Sequence, residues 1–241
     1  RIEGAGREAE GRAARRAGCR IAAGGDWRAR GGVMVVVDNL VESPVGEPKS
    51  LSALTMAQAF LHTIASRGDA VALRTSDGAV EICYDELTGR MAEIAAAFAA
   101  HGISPGDAVG MMLTNRPEFH VIDGAAMLMG AVPFSVYNTS APEQLAYVIG
   151  DAGARVVLTE RQFVPALAAA AEHGLDLTHV IVIDDEASWS AFLRAGDGFD
   201  LEAAAAAVQP DDLLTLIYTS GTTGAPKGVQ LSHASMIAML R

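Results

Sequence analysis

The chain has 241 residues, half of them apolar, and a formal net charge of −11. This acidic balance argues against a nucleic-acid-binding surface. No apolar run reaches the roughly eighteen residues that a transmembrane helix needs. The two cysteines, Cys19 and Cys83, provide neither a disulfide framework nor the spacing of metal ligands, which fits a reducing cytosol.

The first residues differ in composition from the remainder. Residues 1–32 hold eight arginines against four acidic residues, with much Gly and Ala and little apolar periodicity. They lack the serines of a transit peptide and the apolar core of a secretory signal. We expect residues 1–33 to be a disordered extension without function, translated from upstream sequence ahead of a natural start at Met34. Residues 34–241 would then form the functional domain.

The first predicted elements alternate between helix and strand. Apolar residues recur at helical spacing over residues 54–66, and Gly68 ends the pattern. Two short apolar runs flank Ser76-Asp77-Gly78, which predicts a β-hairpin. The next predicted elements are an alanine-rich helix over residues 85–100, a buried strand over 108–113, a helix over 117–129 and a strand over 132–136.

The alternation continues through the second half. Ser140-Ala141-Pro142-Glu143 is typical of a capping box, and the helix that it begins is predicted to run to residue 150. Strands are predicted over residues 155–159, 179–183 and 213–218, helices over 160–173 and 187–209, and a last helix is capped by Ser232. Such alternation implies βαβ units and a parallel sheet, in which ligands bind beyond the carboxyl ends of the strands.

Residues 218–228 read Tyr-Thr-Ser-Gly-Thr-Thr-Gly-Ala-Pro-Lys-Gly and follow the last predicted strand. Glycines allow backbone N–H groups to converge on an anion, hydroxyls add donors, and Lys227 adds a positive charge. This combination suits a polyphosphate. It is not a Walker A loop, in which Lys directly follows Gly. A Ser/Thr/Gly-rich surface turn is the alternative, but such turns rarely combine these features with flanking strands.

This stretch resembles the phosphate-binding signature of the adenylate-forming superfamily, which includes acyl-CoA synthetases, firefly luciferase and the adenylation domains of peptide synthetases. The resemblance covers about residues 51–241. Further matching segments are Tyr84-Asp85-Glu86-Leu87, residues 106–110 with 115–118, and residues 130–133 with 138–139. Residues 136–144 are most similar to long-chain fatty acyl-CoA synthetases of actinobacterial type.

The resemblance implies an α/β fold of parallel sheets flanked by helices, as a partial amino-terminal domain. It implies an ATP-dependent acid–thiol ligase that converts a carboxylic acid, here a long-chain fatty acid, into an acyl-adenylate and then an acyl-CoA. ATP, Mg²⁺ and coenzyme A are the implied cofactor and co-substrates. Nucleotide binding is assigned to Thr219, Ser220, Gly221, Thr222, Thr223, Gly224 and Lys227, and Thr219 is also assigned to Mg²⁺. The family's remaining catalytic residues lie further along its chains, so this chain alone is expected to be inactive.

Three alternatives remain open at this point: an adenylation domain for amino or aryl acids, a non-catalytic nucleotide-binding module, and a structural α/β domain with a chance loop. A cytoplasmic location is expected, with peripheral membrane association compatible with it.

His233 suits either the start of a helix or a role near substrate. The other histidines share no ligand spacing, acidic pairs such as Asp184-Asp185 fit solvated turns, and the methionines at 111, 112, 127 and 129 fit a core.

Overall fold

The computed structural model describes residues 34–35, 49–219 and 224–241, so the predictions for residues 1–33 lie outside it. The helices are α1 (Met56–Arg67), α2 (Tyr84–Ala100), α3 (Pro117–Leu128), α4 (Pro142–Asp151), α5 (Val164–Ala171), α6 (Glu186–Arg194), α7 (Leu201–Ala207) and α8 (His233–Leu240). The strands are β1 (Met34–Val35), β2 (Val71–Thr75), β3 (Glu81–Cys83), β4 (Ala108–Met112), β5 (Val132–Ser135), β6 (Val156–Thr159), β7 (His179–Val182), β8 (Leu213–Thr219) and β9 (Lys227–Ser232). Within these residues, no helix is both long and apolar enough to cross a membrane.

A four-stranded parallel sheet forms the centre of the fold, in the order β5-β4-β6-β7. Successive residues of a strand point to opposite faces. Val156 and Leu158 of β6 accordingly join the core beneath α1, α2, α3, α6 and α7, whereas Val157 joins the core beneath α4 and α5. Both faces of the sheet are therefore covered, as parallel sheets require. This arrangement confirms the predicted α/β fold.

A second, antiparallel sheet joins β1, β2 and β3. The hairpin between β2 and β3 was predicted from Ser76-Asp77-Gly78 and is confirmed. Asp77 accepts hydrogen bonds from the Thr75 hydroxyl at 2.7 Å and from the Ala79 N–H at 3.0 Å. Gly78 adopts a φ of 68°, a conformation that favours glycine.

Three local predictions are wrong in detail. Helix α4 begins at Pro142 with Ala141 as its N-cap, and no side chain caps it, so the capping box predicted from Ser140 does not form. The helix predicted over residues 160–173 is instead a 3₁₀ turn, Arg161–Phe163, followed by α5, because Pro165 favours a helix start within its first turn. The helix predicted over residues 187–209 is divided into α6 and α7, separated by Gly198 at a φ of 68°.

Strand β8 does not belong to the parallel sheet that the sequence predicted around it. It pairs antiparallel with β9, and the two strands form a separate two-stranded sheet. The Thr215 hydroxyl donates to the carbonyl of Pro133 in β5 at 2.8 Å, and the Tyr218 ring lies 6.0 Å from the Phe134 ring. These contacts place the carboxyl end of β8 beside the carboxyl end of β5.

Candidate functional site

The β8–β9 hairpin brings Thr219 and Lys227 together. They are the last cross-strand pair of the ladder before the connecting loop, and both are exposed. Residues opposite each other in an antiparallel pair project to the same side, so a hydroxyl and an ammonium group share one edge. Gly224 is also exposed, and no atom of the described residues other than its chain neighbours lies within 4 Å of where its side chain would begin. Ser220, Gly221, Thr222 and Thr223 lie outside the described residues, so their assignment stays a prediction.

Tyr218, the residue before Thr219, is held in place by contacts with other elements. Its side chain is buried, and its hydroxyl donates to a carboxylate oxygen of Asp151 at 2.8 Å. Burial raises the pKa of the Tyr218 phenol well above its usual value, and the hydrogen bond and charge of Asp151 raise it further. A side chain at Gly228 would begin 2.9 Å from the Tyr218 ring. The absence of a side chain at Gly228 therefore leaves space for the ring.

A cavity of about 280 Å³ lies beside this hairpin. One wall comes from the hairpin, through Tyr218 and Pro226. The other wall comes from the end of β5, the segment that follows it, and α4. Its polar residues are Ser135, Tyr137, Thr139, Ser140 and Gln144, and its apolar residues are Val136, Leu145 and Val148. Its volume is near the lower end of the range for small-molecule sites.

Sequence reasoning did not assign these lining residues to a site. The signal that could have found them is the change from an apolar strand, β5, to a run of hydroxyl-bearing residues at the strand's carboxyl end. Ligands of open parallel sheets bind at that end. The cavity also shows that the hairpin and the parallel sheet contribute to one polar surface, although they belong to separate sheets.

His233 lies away from this surface. It is fully buried at the start of α8, and its Nδ1 accepts the backbone N–H of Met56 at 3.2 Å. Burial lowers the pKa of the imidazole, against the opposing attraction of Asp212. Six residue steps separate His233 from Lys227, and the five that lie along β9 already span about 17 Å. The geometry fits the helix-start alternative, in which neutral His233 joins α8 to the first turn of α1.

The acidic pair at Asp184 and Asp185 acts locally. Asp184 accepts the backbone N–H of Arg161 at 2.7 Å. Asp185 caps α6 through the N–H of Ser188 and pairs with the Arg161 side chain. The hydrogen bond from Ser188 is the largest cause that lowers the pKa of Asp185.

Across the residues that the structure describes, no group of three or more His, Cys, Asp or Glu side chains is placed to hold a metal ion.

The crevice between β4 and β6, where the strand order reverses, is closed by charged side chains. Arg116 forms two hydrogen bonds with Glu118, at 2.9 and 2.7 Å, and lies 3.4 Å from Glu160. All three residues are buried. Reversal points of parallel sheets commonly bind ligands, but here protein side chains occupy the crevice.

Sequence comparison identifies the family. Residues 60–241 match the AMP-binding enzyme family. The chain belongs to that family. An uncharacterized protein of Mycobacterium tuberculosis is 39% identical over 130 residues, covering 54% of this chain and 73% of that protein.

Two longer relatives have names that state an activity. The medium/long-chain fatty-acid–CoA ligase FadD6 of Mycobacterium tuberculosis is 30% identical over 200 residues, covering 83% of this chain and 32% of that protein. The phosphinothricin tripeptide synthetase PhsB of Streptomyces viridochromogenes is 34% identical over 192 residues, covering 80% of this chain and 15% of that protein. This chain therefore spans about a third of FadD6 and a smaller share of PhsB.

The fold agrees with that of solved AMP-binding ligases. The anthranilate CoA ligase AuaEII, solved with anthranoyl-AMP, superposes with a TM-score of 0.66 at 23% identity. The superposition covers 75% of this chain and 34% of that ligase. At this identity the likeness shows the shared fold. The family and the fold that the sequence predicted are both confirmed.

Proposed function

We propose that this chain provides the nucleotide-phosphate-binding part of an ATP-dependent acid–thiol ligase. The observation that carries the proposal is the exposed Thr219–Lys227 pair, which ends a hairpin of the AMP-binding fold beside a polar cavity. A positively charged side chain and a hydroxyl on one edge suit the oxygens of a polyphosphate. The cavity provides adjacent space for another part of the substrate.

Each proposed residue has a separate role in holding the β- and γ-phosphates. Lys227 provides a positive charge that opposes the negative charge of the leaving pyrophosphate. Thr219 donates from its hydroxyl, and Gly224 leaves the backbone open to close approach by an anion. Ser220, Gly221, Thr222 and Thr223 are proposed from the sequence to complete this set with hydroxyl and backbone donors.

The proposed cofactor Mg²⁺ fits this site as an ion held chiefly by phosphate. Mg²⁺ prefers oxygen ligands, keeps several waters, and commonly takes one or two protein ligands beside substrate phosphates. The exposed Thr219 hydroxyl would provide one such oxygen ligand. When bound, Mg²⁺ would neutralise phosphate charge. We assign no further protein ligand to it.

The proposed reaction has two steps. The carboxylate of the acid attacks the α-phosphorus of ATP, which forms an acyl-adenylate and releases pyrophosphate. The thiol of coenzyme A then attacks the acyl carbon, and AMP leaves. The residues proposed here bind and orient phosphates in the first step, and none of them is proposed as a catalytic acid, base or nucleophile.

We propose a long-chain fatty acid as the substrate. The segment from Val136 to Gln144 and the similarity to FadD6 support a fatty acid. The similarity to PhsB, a peptide synthetase, supports an amino acid as the second candidate.

We further propose that residues 34–241 form the family domain and that residues 1–33 do not contribute to it. We also propose that the protein acts in the cytoplasm.

The direct test is ATP binding, measured by titration calorimetry with Mg²⁺ present. We expect Lys227→Ala to weaken ATP binding by about ten- to a hundredfold, because a hydrogen bond to a charged group contributes about 1.5–3 kcal/mol. Lys49, the one other lysine in the sequence, is exposed and provides the matched control Lys49→Ala. Circular dichroism checks that both variants fold. Equal ATP affinity in the folded Lys227→Ala variant and the wild type would refute the proposed role.

A further inference from the structure

Asp151 occupies a position that helix electrostatics disfavours. It is the last residue of α4, where the partial negative charge of the helix end repels a carboxylate. It is also exposed, so core packing does not require it. Its contact with the Tyr218 hydroxyl at 2.8 Å is a charge-assisted hydrogen bond that joins α4 to β8.

Tyr218 is held on three sides by three different elements. Phe134 of β5 lies against its ring, Gly228 of β9 leaves space for the ring, and Asp151 of α4 accepts its hydroxyl. Thr219 follows Tyr218 along β8. Its cross-strand partner is Lys227, and the cross-strand partner of Tyr218 is Gly228. Tyr218 is therefore bonded to Thr219, and its cross-strand partner Gly228 is bonded to Lys227.

We propose that Asp151 is a positioning residue for nucleotide binding, which acts through Tyr218 to fix the strand ends that carry Thr219 and Lys227. Asp151 itself does not contact the nucleotide. This inference rests on the proposed function, because it concerns the same phosphate site. Positioning and a simple charge effect predict opposite changes in ATP affinity when Asp151 is removed. Removing a carboxylate from a chain of net charge −11 should favour an anionic ligand, whereas loss of positioning weakens ATP binding.

The first experiment measures ATP affinity by calorimetry in three variants. We expect Asp151→Ala to weaken ATP binding about tenfold, and Asp151→Asn, whose amide oxygen can still accept the phenol, to stay within about threefold of wild type. Asp176→Ala removes one exposed carboxylate elsewhere and is the matched control, with no weakening expected. Unchanged or tighter ATP binding in Asp151→Ala, or equal losses in the Ala and Asn variants, would overturn the inference.

A double-mutant cycle tests whether Asp151 acts through Tyr218. Tyr218→Phe removes the hydroxyl and keeps the ring. If the two residues act as one unit, the variant with both Asp151→Ala and Tyr218→Phe binds ATP no more weakly than Asp151→Ala alone. Multiplied losses would overturn the proposed route through Tyr218.

Amide hydrogen exchange without nucleotide separates failure of this inference from failure of the proposed function. We expect Asp151→Ala to speed exchange at the backbone amides of Thr219 and Gly228, with Asp151→Asn restoring most protection and Asp176→Ala leaving it unchanged. Wild-type protein that binds no ATP would refute the proposed function, and these exchange rates would still decide whether Asp151 fixes the strand ends. Unchanged exchange in Asp151→Ala would overturn the inference even if ATP binds.

Discussion

Asp123 lies within α3, where burial raises the pKa of its carboxyl from 3.8 to about 6. A pKa that is higher in the folded state means that folding favours the protonated carboxyl. The resulting stability is present below pH 3.8 and is lost as the pH rises through about 6. At neutral pH the folded protein therefore holds an ionised carboxylate in a place that disfavours it.

We predict that Asp123→Asn stabilises the protein at pH 8 and has little effect near pH 3.5. A rise in pKa from 3.8 to about 6 corresponds to about 3 kcal/mol, and partial exposure of the side chain reduces the expected gain to about 1–2 kcal/mol. Urea denaturation at the two pH values measures this difference. Asp176→Asn, at an exposed site, should show no pH-dependent gain. A gain of equal size at both pH values would contradict this explanation.

At the scale of elements, the ion network between β4 and β6 decides how the central crevice is filled. Arg116 follows β4, Glu118 lies in the first turn of α3, and Glu160 follows β6. Glu160 also accepts the backbone N–H of Thr114 at 2.5 Å, so the network joins both strand ends. The side chains of Arg116, Glu118 and Glu160 are 10%, 1% and 7% exposed, so water screens their charges weakly.

We predict that Glu118→Gln lowers the free energy of unfolding by about 3 kcal/mol, because breaking a buried ion pair leaves a guanidinium charge less compensated. Glu81→Gln is the matched control. It alters the Arg74–Glu81 pair, whose side chains are 34% and 37% exposed, and should change stability by less than about 1 kcal/mol. Urea denaturation at neutral pH measures both variants. Similar losses in both would show that burial does not govern the strength of these pairs.

The sequence predicted most elements because their patterns are local. Apolar periodicity located α1, an alanine-rich composition located α2, and the Ser76-Asp77-Gly78 turn located the β2–β3 hairpin. The wrong predictions arose where a competing residue or a tertiary contact, and not the local pattern, decided the structure. Pro142 begins α4 one residue later than the Ser140 capping box requires. For β8, an apolar run predicts a strand but carries no information about its partner, and the structure pairs it with β9.

As with the fold, the sequence predicted those parts of the candidate site that lie in one short stretch. Thr219, Gly224 and Lys227 were identified because glycine, hydroxyl and lysine occur together in one short stretch, and the structure describes all three as exposed. The Asp151–Tyr218 contact joins residues 67 positions apart, so no local pattern indicates it. The cavity wall after β5 also required the fold, because the approach of β8 to β5 creates it.

At the scale of the whole molecule, we expect phosphate binding by this chain to be separable from turnover. The chain spans 32% of FadD6 and 34% of the anthranilate CoA ligase with which it superposes. By resemblance, the adenine pocket, the acidic Mg²⁺ ligand, the ribose-binding aspartate and the adenylation lysine of the family lie further along its chains than the part that these residues match. Positioning several such groups together provides much of the rate enhancement of an enzyme, and holding phosphates alone does not replace it.

We predict that residues 1–241 bind Mg²⁺–ATP but do not adenylate an acid. ATP–pyrophosphate exchange and hydroxamate formation, each measured with a long-chain fatty acid and with an amino acid mixture, should stay at the level of a reaction without protein. The Lys227→Ala variant distinguishes specific turnover from a contaminating enzyme, because contaminating activity would not depend on Lys227. Exchange that is well above background in wild type and lost in Lys227→Ala would contradict this prediction. The acid that supports such exchange would then decide between the fatty-acid and amino-acid proposals.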